Sequence, residues 1–412
     1  MYRRLGARLV PLALAAFMAT GAGAQPPTSW TLRQAFEAAW ERQPEAAAQN
    51  LRRDAADAAR RATQSWTAEP TALELRTKTD RLNGNSGARE YEAAVAVPLW
   101  LPGERDRAGQ LASAEASAQE AKLGAAKLRT AAQVREAWWA WQRAVLEHEL
   151  ARERLANAQK LAGDVAKRVR AGDLARSDQF QADGAIAQAE AALAEAAASL
   201  AATRSAVRAA TGVPAPELGS PDAEAAPAVP AELPDVGHPA LAELLARAEV
   251  GRKAADLAAV QKRANPELTV GTTRERGLFG ESYQGSLTVA LRIPFGGGPR
   301  TDAKVANARA DALEAERLAA LERSRLAAEL DAARSRVEAT GVQLAAADKR
   351  AQLAREVRGF FEKSFRLGES DLPTRLRVEL EAVEAERQAA RARIEAAAAI
   401  SALRQALGLL PQ

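Results

Sequence analysis

One stretch of the sequence constrains the fold more than any other, because it joins an alternating segment directly to a long helical pattern. It runs from Tyr91 to Gly109 and reads YEAAVAVPLWLPGERDRAG. Tyr91, Val95 and Val97 fall on one face, with glutamate and alanine between them, which predicts a strand with one apolar face. About nine residues at roughly 3.3 Å each span about 30 Å, the reach of a tilted strand in an outer membrane. Pro98 then ends the strand.

The same pattern occurs a second time. From Tyr283 the chain reads YQGSLTVALRIPFGGGPR, an alternating segment that Pro294 ends and that a second helical pattern follows. The residues that we predict to face lipid lie on the apolar faces of the two strands: Tyr91, Val95, Val97, Tyr283, Leu287, Val289 and Leu291. Charged residues are predicted to face a water-filled interior: Glu74, Arg76, Lys78, Glu92 and Arg292.

Four pairs of landmarks repeat at one offset of 196 residues, which indicates an internal duplication. Proline precedes the first strand of each half and ends the second strand. Glycine interrupts the long helical pattern of each half and ends the last helix. The pairs are Pro70 and Pro266, Pro98 and Pro294, Gly172 and Gly368, and Gly212 and Gly408.

The duplication sets the predicted boundaries. Residues 1–24 form a signal peptide, 25–212 the first repeat, 213–237 a linker rich in proline and alanine, and 238–412 the second repeat. In the first repeat we expect strands at about 71–79 and 90–99 and long helices at about 103–169 and 177–211. In the second we expect strands at about 267–275 and 283–293 and long helices at about 299–366 and 371–408.

The beginning of the chain and its composition point to export. Arginines precede a short apolar run, and Ala22 and Ala24 mark a signal-peptidase cleavage site. The sequence has no cysteine, which excludes a disulfide framework and a thiolate site. Its 57 basic and 53 acidic residues are interspersed, which argues against a nucleic-acid-binding surface.

We predict no cofactor, no metal site and no enzymatic activity. His148 and His238 are the two histidines, and they lie far apart in the sequence, whereas a transition metal needs several converging ligands. The glycine-rich stretch at 296–298 lacks the Gly-Lys-Ser/Thr ending of a phosphate loop. Carboxylates such as Glu379 and Glu381 lie on a charged helix face without a pocket for acid–base catalysis.

The strand number requires several chains. Four strands cannot close a barrel, and open sheet edges are not tolerated in lipid. Two chains would give a barrel filled by side chains, so a conduit needs at least three chains and about 12 strands. The predicted fold class is therefore mainly α with a membrane β part, in a duplicated helix–hairpin–helix plan.

These features together resemble the TolC-like family of outer-membrane efflux proteins. The segments PLWLPGERDRAGQLASAEA and HPALAELL…KRANPELTV are most similar to the CzcC-like branch, which serves cobalt–zinc–cadmium resistance pumps. The resemblance implies a homotrimer with a 12-stranded outer-membrane β-barrel, continued by a long α-helical barrel in the periplasm. It also implies a periplasmic adaptor and an inner-membrane RND-type pump as partners.

In this family, the turns between the long helices form the periplasmic tip that meets the adaptor. The corresponding residues here surround the two glycines: Arg170, Ala171, Gly172, Asp173, Arg366, Leu367, Gly368 and Glu369. The family motif resembles Val-Gly-Leu, and in this chain only the glycines match it strictly. Asp173 and Glu369 replace the apolar third residue.

Several functions remain open at the level of the sequence. The resemblance implies a passive trimeric duct that exports heavy-metal cations across the outer membrane. Drug efflux and type I protein secretion use the same kind of duct. A periplasmic coiled-coil adaptor or scaffold is a different class, and it would carry one helical hairpin rather than two repeats.

Overall fold

A computed structural model describes residues 31–215, 223–228, 237–296 and 298–412. The described chain consists of long helices and one small sheet. In chain order the elements are α1 (Leu32–Glu41), α2 (Pro44–Gln64), β1 (Ala72–Thr79), β2 (Arg89–Pro98), α3 (Glu104–Ala171), α4 (Arg176–Thr211), α5 (Pro239–Val260), β3 (Glu267–Arg276), β4 (Gln284–Arg292), α6 (Gly298–Leu367) and α7 (Leu372–Ala406). The predicted signal peptide, with Ala22 and Ala24, and most of the predicted linker lie outside the described residues.

Two helices are much longer than the rest. α3 has 68 residues and α6 has 70, so each is roughly 100 Å long at about 1.5 Å per residue. Both end at a glycine in the left-handed conformation, Gly172 with φ of 83° and Gly368 with φ of 77°. Glycine adopts this conformation without a steric penalty, which explains why the long helices stop there. Among the described helices, none combines the length and apolar character of a membrane span.

Each element from α2 to α4 has a counterpart about 196 residues later. Thus α2 corresponds to α5, β1 to β3, β2 to β4, α3 to α6 and α4 to α7. α3 packs against α4 and α6 packs against α7, while α5 contacts both α3 and α6. The second-repeat helix α5 therefore joins the two helical hairpins.

The sheet is antiparallel and has the order β1-β2-β3-β4. Its central pair, β2 and β3, brings together the two repeats, with Val95 opposite Val270. Val95 also pairs with Leu73, and Val270 with Val289, so one row of apolar residues crosses all four strands. β1 and β4 form the two edges of this sheet.

The largest apolar cluster lies midway along the helices. Trp138 and Trp141 are buried there with their ring centroids 5.1 Å apart, in an edge-to-face arrangement. α1 packs on this cluster through Leu32 and Phe36. The 4-3-4 spacing of Val134, Trp138, Trp141 and Val145 predicts a buried seam, and all four residues are buried.

A buried carboxylate connects the sheet to the helices. Glu104, the first residue of α3, is 3% exposed and accepts hydrogen bonds from the Leu101 backbone N–H at 2.9 Å, Gln261 Nε2 at 2.7 Å and Asn265 Nδ2 at 3.0 Å. It therefore fixes the start of α3 to the segment that leads into β3. The residue at the equivalent position of the second repeat is Arg300, which is exposed.

A second buried carboxylate holds part of the linker. Glu224 accepts a hydrogen bond from Arg135 Nη2 at 2.9 Å and from Arg404 Nε at 3.1 Å, and it also contacts the Ser401 hydroxyl. Arg135 lies on α3 and Arg404 on α7. Arg135 also donates to the Leu409 carbonyl at 3.0 Å. The linker and the end of the chain are thus attached to one point on α3.

Candidate functional site

The first candidate site is the sheet, whose two faces differ in polarity. Directly paired residues of antiparallel strands lie on the same face. One face, here called the outward face, carries the apolar residues: Leu73, Leu75, Val95, Val97, Leu268, Val270, Leu287, Val289 and Leu291. The lipid-facing residues predicted from the sequence all fall on it by register or by strand alternation.

Large apolar side chains are exposed on the outward face, whereas a water-soluble sheet buries such residues. On the outward face Leu287 is 75% exposed, Val289 is 65% exposed and Val95 is 44% exposed. On the other face Ala94 and Ala96 are each 2% exposed, although alanines are small. The large apolar residues of the outward face are therefore open, whereas on the other face only small residues of the central strands are buried and Arg76 and Lys78 of β1 are exposed.

The second face of the sheet is polar and rich in ion pairs. Arg76 and Glu92 lie opposite each other at 3.0 Å, and Lys78 and Glu90 at 3.5 Å. At Gly271 an added Cβ would come within 2.8 Å of the Ala94 Cβ, so the strands leave no room for a side chain there. The charged residues predicted for the interior lie on this face: Glu74, Arg76, Lys78, Glu92 and Arg292.

Aromatic residues lie near both ends of the sheet. Tyr91 and Tyr283 stand 6.1 Å apart, centroid to centroid, at the end that carries the hairpin loops. At the end that leads into the helices, Trp66 is 70% exposed and Phe295 is 85% exposed. Aromatic rings at the two borders of an apolar band are typical of strands in an outer membrane.

The second candidate site is the pair of turns at the far end of the helices. The two turns have the same geometry. The Asp173 N–H donates to the Arg168 carbonyl at 2.9 Å, and the Glu369 N–H donates to the Ser364 carbonyl at 2.9 Å. This is the Schellman arrangement, in which a left-handed glycine closes the helix. All eight residues predicted for the tip are exposed.

The two turns are joined by a residue that the sequence analysis did not identify. Phe365 is 2% exposed, with the guanidinium of Arg168 4.3 Å and that of Arg375 4.8 Å from its ring centroid. Arg168 also donates to the Phe365 carbonyl at 3.4 Å. A cleft of about 480 Å³ separates the turns and is lined by residues of both. The three phenylalanines near the end of α6, Phe360, Phe361 and Phe365, were the available sequence signal.

The described residues contain no group of three or more His, Cys, Asp or Glu that could hold a metal ion. His238 is buried at the start of α5, and burial lowers the pKa of its imidazole below the usual 6.5. Glu322 and Glu329 oppose this shift without reversing it.

No protein-family model and no curated protein matches the sequence. Solved structures do share the fold. One of them is CusC, which changes conformation as it folds and forms a transmembrane channel. It matches with a TM-score of 0.74 and 16% identity over 92% of both chains. The outer-membrane protein VceC of Vibrio cholerae matches with a TM-score of 0.69 and 18% identity over 92% of this chain and 96% of its own.

The open state of the MtrE outer-membrane channel of Neisseria gonorrhoeae also matches, with a TM-score of 0.67 and 16% identity over 92% of this chain and 89% of its own. The chain therefore has the fold of the outer-membrane channels to which it is similar. The prediction of a mainly helical fold with a membrane-type sheet agrees with these similarities.

Proposed function

We propose that this chain is the outer-membrane component of a tripartite efflux system, a passive trimeric duct that extends into the periplasm. The observation that carries the proposal is the sheet, whose large apolar residues are exposed on one face while its charged residues gather on the other. Such a sheet suits a barrel with lipid outside and water inside. The shared fold with outer-membrane channels supports the same function.

The two edges of the sheet support a trimer. β1 and β4 end the sheet, so each has one side without a strand partner among the described residues. Unpaired backbone groups are costly in hydrocarbon, since no water is present to bind them. Pairing of β4 with β1 of the next chain would satisfy them. Three chains would then give about 12 strands and an aqueous interior.

The tip turns are the proposed docking surface for a periplasmic adaptor that links the duct to an inner-membrane RND-type pump. They lie at the end of helices roughly 100 Å long, which places them far from the membrane. Their exposed glycines allow close backbone approach, and Asp173 and Glu369 add negative charge beside them. Arg170 and Arg366 supply positive charge on the same rim.

We propose heavy-metal cations as the cargo, on the resemblance of the segment PLWLPGERDRAGQLASAEA to the CzcC-like branch. Drugs or secreted proteins remain the alternative cargo. The duct itself needs no resident metal and no catalytic residue, because the inner-membrane pump would supply the energy. The inner face of the sheet carries both Glu92 and Arg76, so its charge does not by itself select a cation.

The docking proposal is tested by disturbing the turns alone. Leucine at both Gly172 and Gly368 should abolish efflux-dependent resistance while trimers still form in the outer membrane, because both glycines have positive φ and open surroundings. A second variant, Asp173→Lys with Glu369→Lys, keeps the backbone and reverses the rim charge. Resistance, trimer yield and adaptor crosslinking are measured together.

The matched control is Gly341→Leu, at an exposed helical glycine that also has nothing within 4 Å of an added Cβ. This variant should keep full resistance. Tip variants that still crosslink to the adaptor and confer resistance would show that the turns are not the docking surface. Fractionation of the wild-type chain outside the outer membrane would refute the duct itself.

A further inference from the structure

The loop end of the outward face carries a cluster of arginine and tyrosine side chains that the duct does not require. It consists of Arg274, Arg276, Tyr91 and Tyr283 and is called here the arginine–tyrosine cluster. Arg274 pairs in register with Tyr91 on one side and Gly285 on the other. Arg276 is two residues further along the same strand, so it lies on the same face. The cluster therefore borders the exposed apolar band.

The other three side chains surround the Tyr283 ring. The guanidinium carbon of Arg276 lies 5.1 Å from the Tyr283 ring centroid, and that of Arg274 lies 5.7 Å from it. The Tyr91 ring is 6.1 Å from the same ring. Stacking of a guanidinium on an aromatic ring leaves its N–H groups free at the edge.

The positive charge of the cluster has no carboxylate partner within the described residues. Nearby acids are engaged elsewhere: Asp80 pairs with Arg89 at 3.2 Å, and Glu90 pairs with Lys78 on the other face. Glu275 also lies on that other face, opposite Gln284. The Glu281 carboxylate accepts the backbone N–H groups of Gly277 and Leu278. Two cations are thus left on the outward face.

The two hairpin loops hold the cluster in place. Arg276 Nε donates to the Gly87 carbonyl of the other loop at 3.1 Å, and the Phe279 N–H donates to the Ser86 carbonyl at 3.0 Å. Gly87 has φ of 101°, and an added Cβ would lie only 2.4 Å from the Phe279 nitrogen. The loops are therefore in close backbone contact, and the arginine is oriented before any ligand binds.

We propose that the arginine–tyrosine cluster binds the phosphate groups of an anionic glycolipid in the outer leaflet of the membrane. Guanidinium groups bind phosphate through paired hydrogen bonds, and tyrosines sit at the border between hydrocarbon and water. The inference rests on the proposed function, because it requires that the apolar face is in a membrane and that the loop end is the external end. It adds a ligand that is separate from the exported cargo, since the cluster faces away from the interior.

The test uses the purified full-length mature protein, reconstituted into phosphatidylcholine nanodiscs that contain diphosphorylated lipid A, dephosphorylated lipid A or phosphatidylglycerol. Bound lipid is counted by native mass spectrometry. We expect retention of the diphosphorylated form, and about tenfold weaker retention when Arg274→Gln and Arg276→Gln are combined, since two charge-assisted contacts are lost. Lys78→Gln is the control, because Lys78 is at the same height on the opposite face.

The outcomes separate the inference from the proposed function. Equal retention by the double variant and the wild type, or an equal loss in Lys78→Gln, would overturn the proposed site. Equal retention of phosphatidylglycerol would overturn the choice of a glycolipid. A chain that enters none of the bilayers would instead refute the membrane function. Loss of phosphorylated lipid A from the double variant, with insertion unchanged, supports the site.

Discussion

At the scale of single residues, the buried carboxylates do the most to join distant parts of the chain. Glu224 is held between Arg135 and Arg404, whose side chains are about as deeply buried as its own. Burial lowers the pKa of Arg135, and its contact with Glu224 opposes that shift. Removal of one partner leaves uncompensated charge in the interior, so these residues are sensitive to substitution.

We expect Glu224→Ala to lower the free energy of unfolding by about 3–5 kcal/mol, because two buried guanidinium groups lose their anion. The fluorescence of Trp138 and Trp141, on α3 with Arg135, can follow unfolding in denaturant. Glu395→Ala is the matched control: it also removes a carboxylate that pairs with two arginines, but that site is partly exposed. A loss no larger than in this control would contradict the role of Glu224.

We expect stability to depend on pH through His238. The pKa of its imidazole is lowered by burial, so the unfolded chain binds a proton that the folded chain does not. The contribution of neutral His238 is complete above about pH 6.5 and is lost as the pH falls from there toward the folded-state pKa.

The measurement is the apparent melting temperature between pH 7.5 and 5. In His238→Gln the fall toward acid should be shallower than in the wild type, whereas in His148→Gln it should be unchanged. Glu322 and Glu329 are the carboxylates acting on the imidazole, so neither is altered in this series. A slope in His238→Gln equal to that of the wild type would rule out this histidine as the source.

At the scale of elements, local sequence signals bear on regular structure, whereas contacts between elements leave no such signal. Alternation at 283–293 and the glycine at 172 are local signals, so the strand and the helix end could be inferred from a few residues. Phe365, in contrast, meets Arg168 across 197 positions of sequence, and Glu104 meets Asn265 across 161. No local pattern records such a contact, because the packing of whole helices creates it.

The apolar face of β4 can be tested within one strand. Arginine at Leu287 or Val289 should cost about 2–4 kcal/mol near the bilayer midplane and reduce the yield of inserted trimer. Arginine at Ser286 is the control, because Ser286 lies on the polar face opposite Thr273. Membrane fractionation and gel mobility without heating would report the yields. Equal insertion of all three variants would contradict the assignment of the faces.

Helix packing can be tested at two helical glycines, one closely packed against a neighbouring helix and one with open space around it. An added Cβ at Gly251 on α5 would lie 2.8 Å from the Ala312 Cα on α6, whereas at Gly341 nothing lies within 4 Å. Gly251→Ala should therefore destabilise the α5–α6 contact. Gly341→Ala should stabilise α6 by about 0.5–1 kcal/mol, because alanine is the better helix former. Thermal unfolding gives the change in melting temperature of each variant. A change of the same sign in both variants would contradict the close contact at Gly251.

At the scale of the whole molecule, the two repeats have similar backbones. They differ in the residues that connect the helices to the sheet and to the linker. The glycines at 172 and 368 have nearly the same φ, and the strands pair in one continuous sheet. The buried Glu104, however, corresponds to the exposed Arg300, and one linker residue, Glu224, serves both halves. In the proposed trimer, six tip turns would therefore form two sets of three.

For the proposed trimer, the open apolar face and the two edge strands of the described sheet also have a consequence for the time between synthesis and assembly. A single chain with this sheet would expose apolar side chains and unpaired backbone groups to water. Both features promote aggregation of β-strands. Assembly removes both hazards, but it requires encounters between chains and so slows as their concentration falls. Slow synthesis would then prolong the vulnerable interval. For the proposed trimer we therefore expect a second protein to cover the sheet until the neighbouring chains arrive.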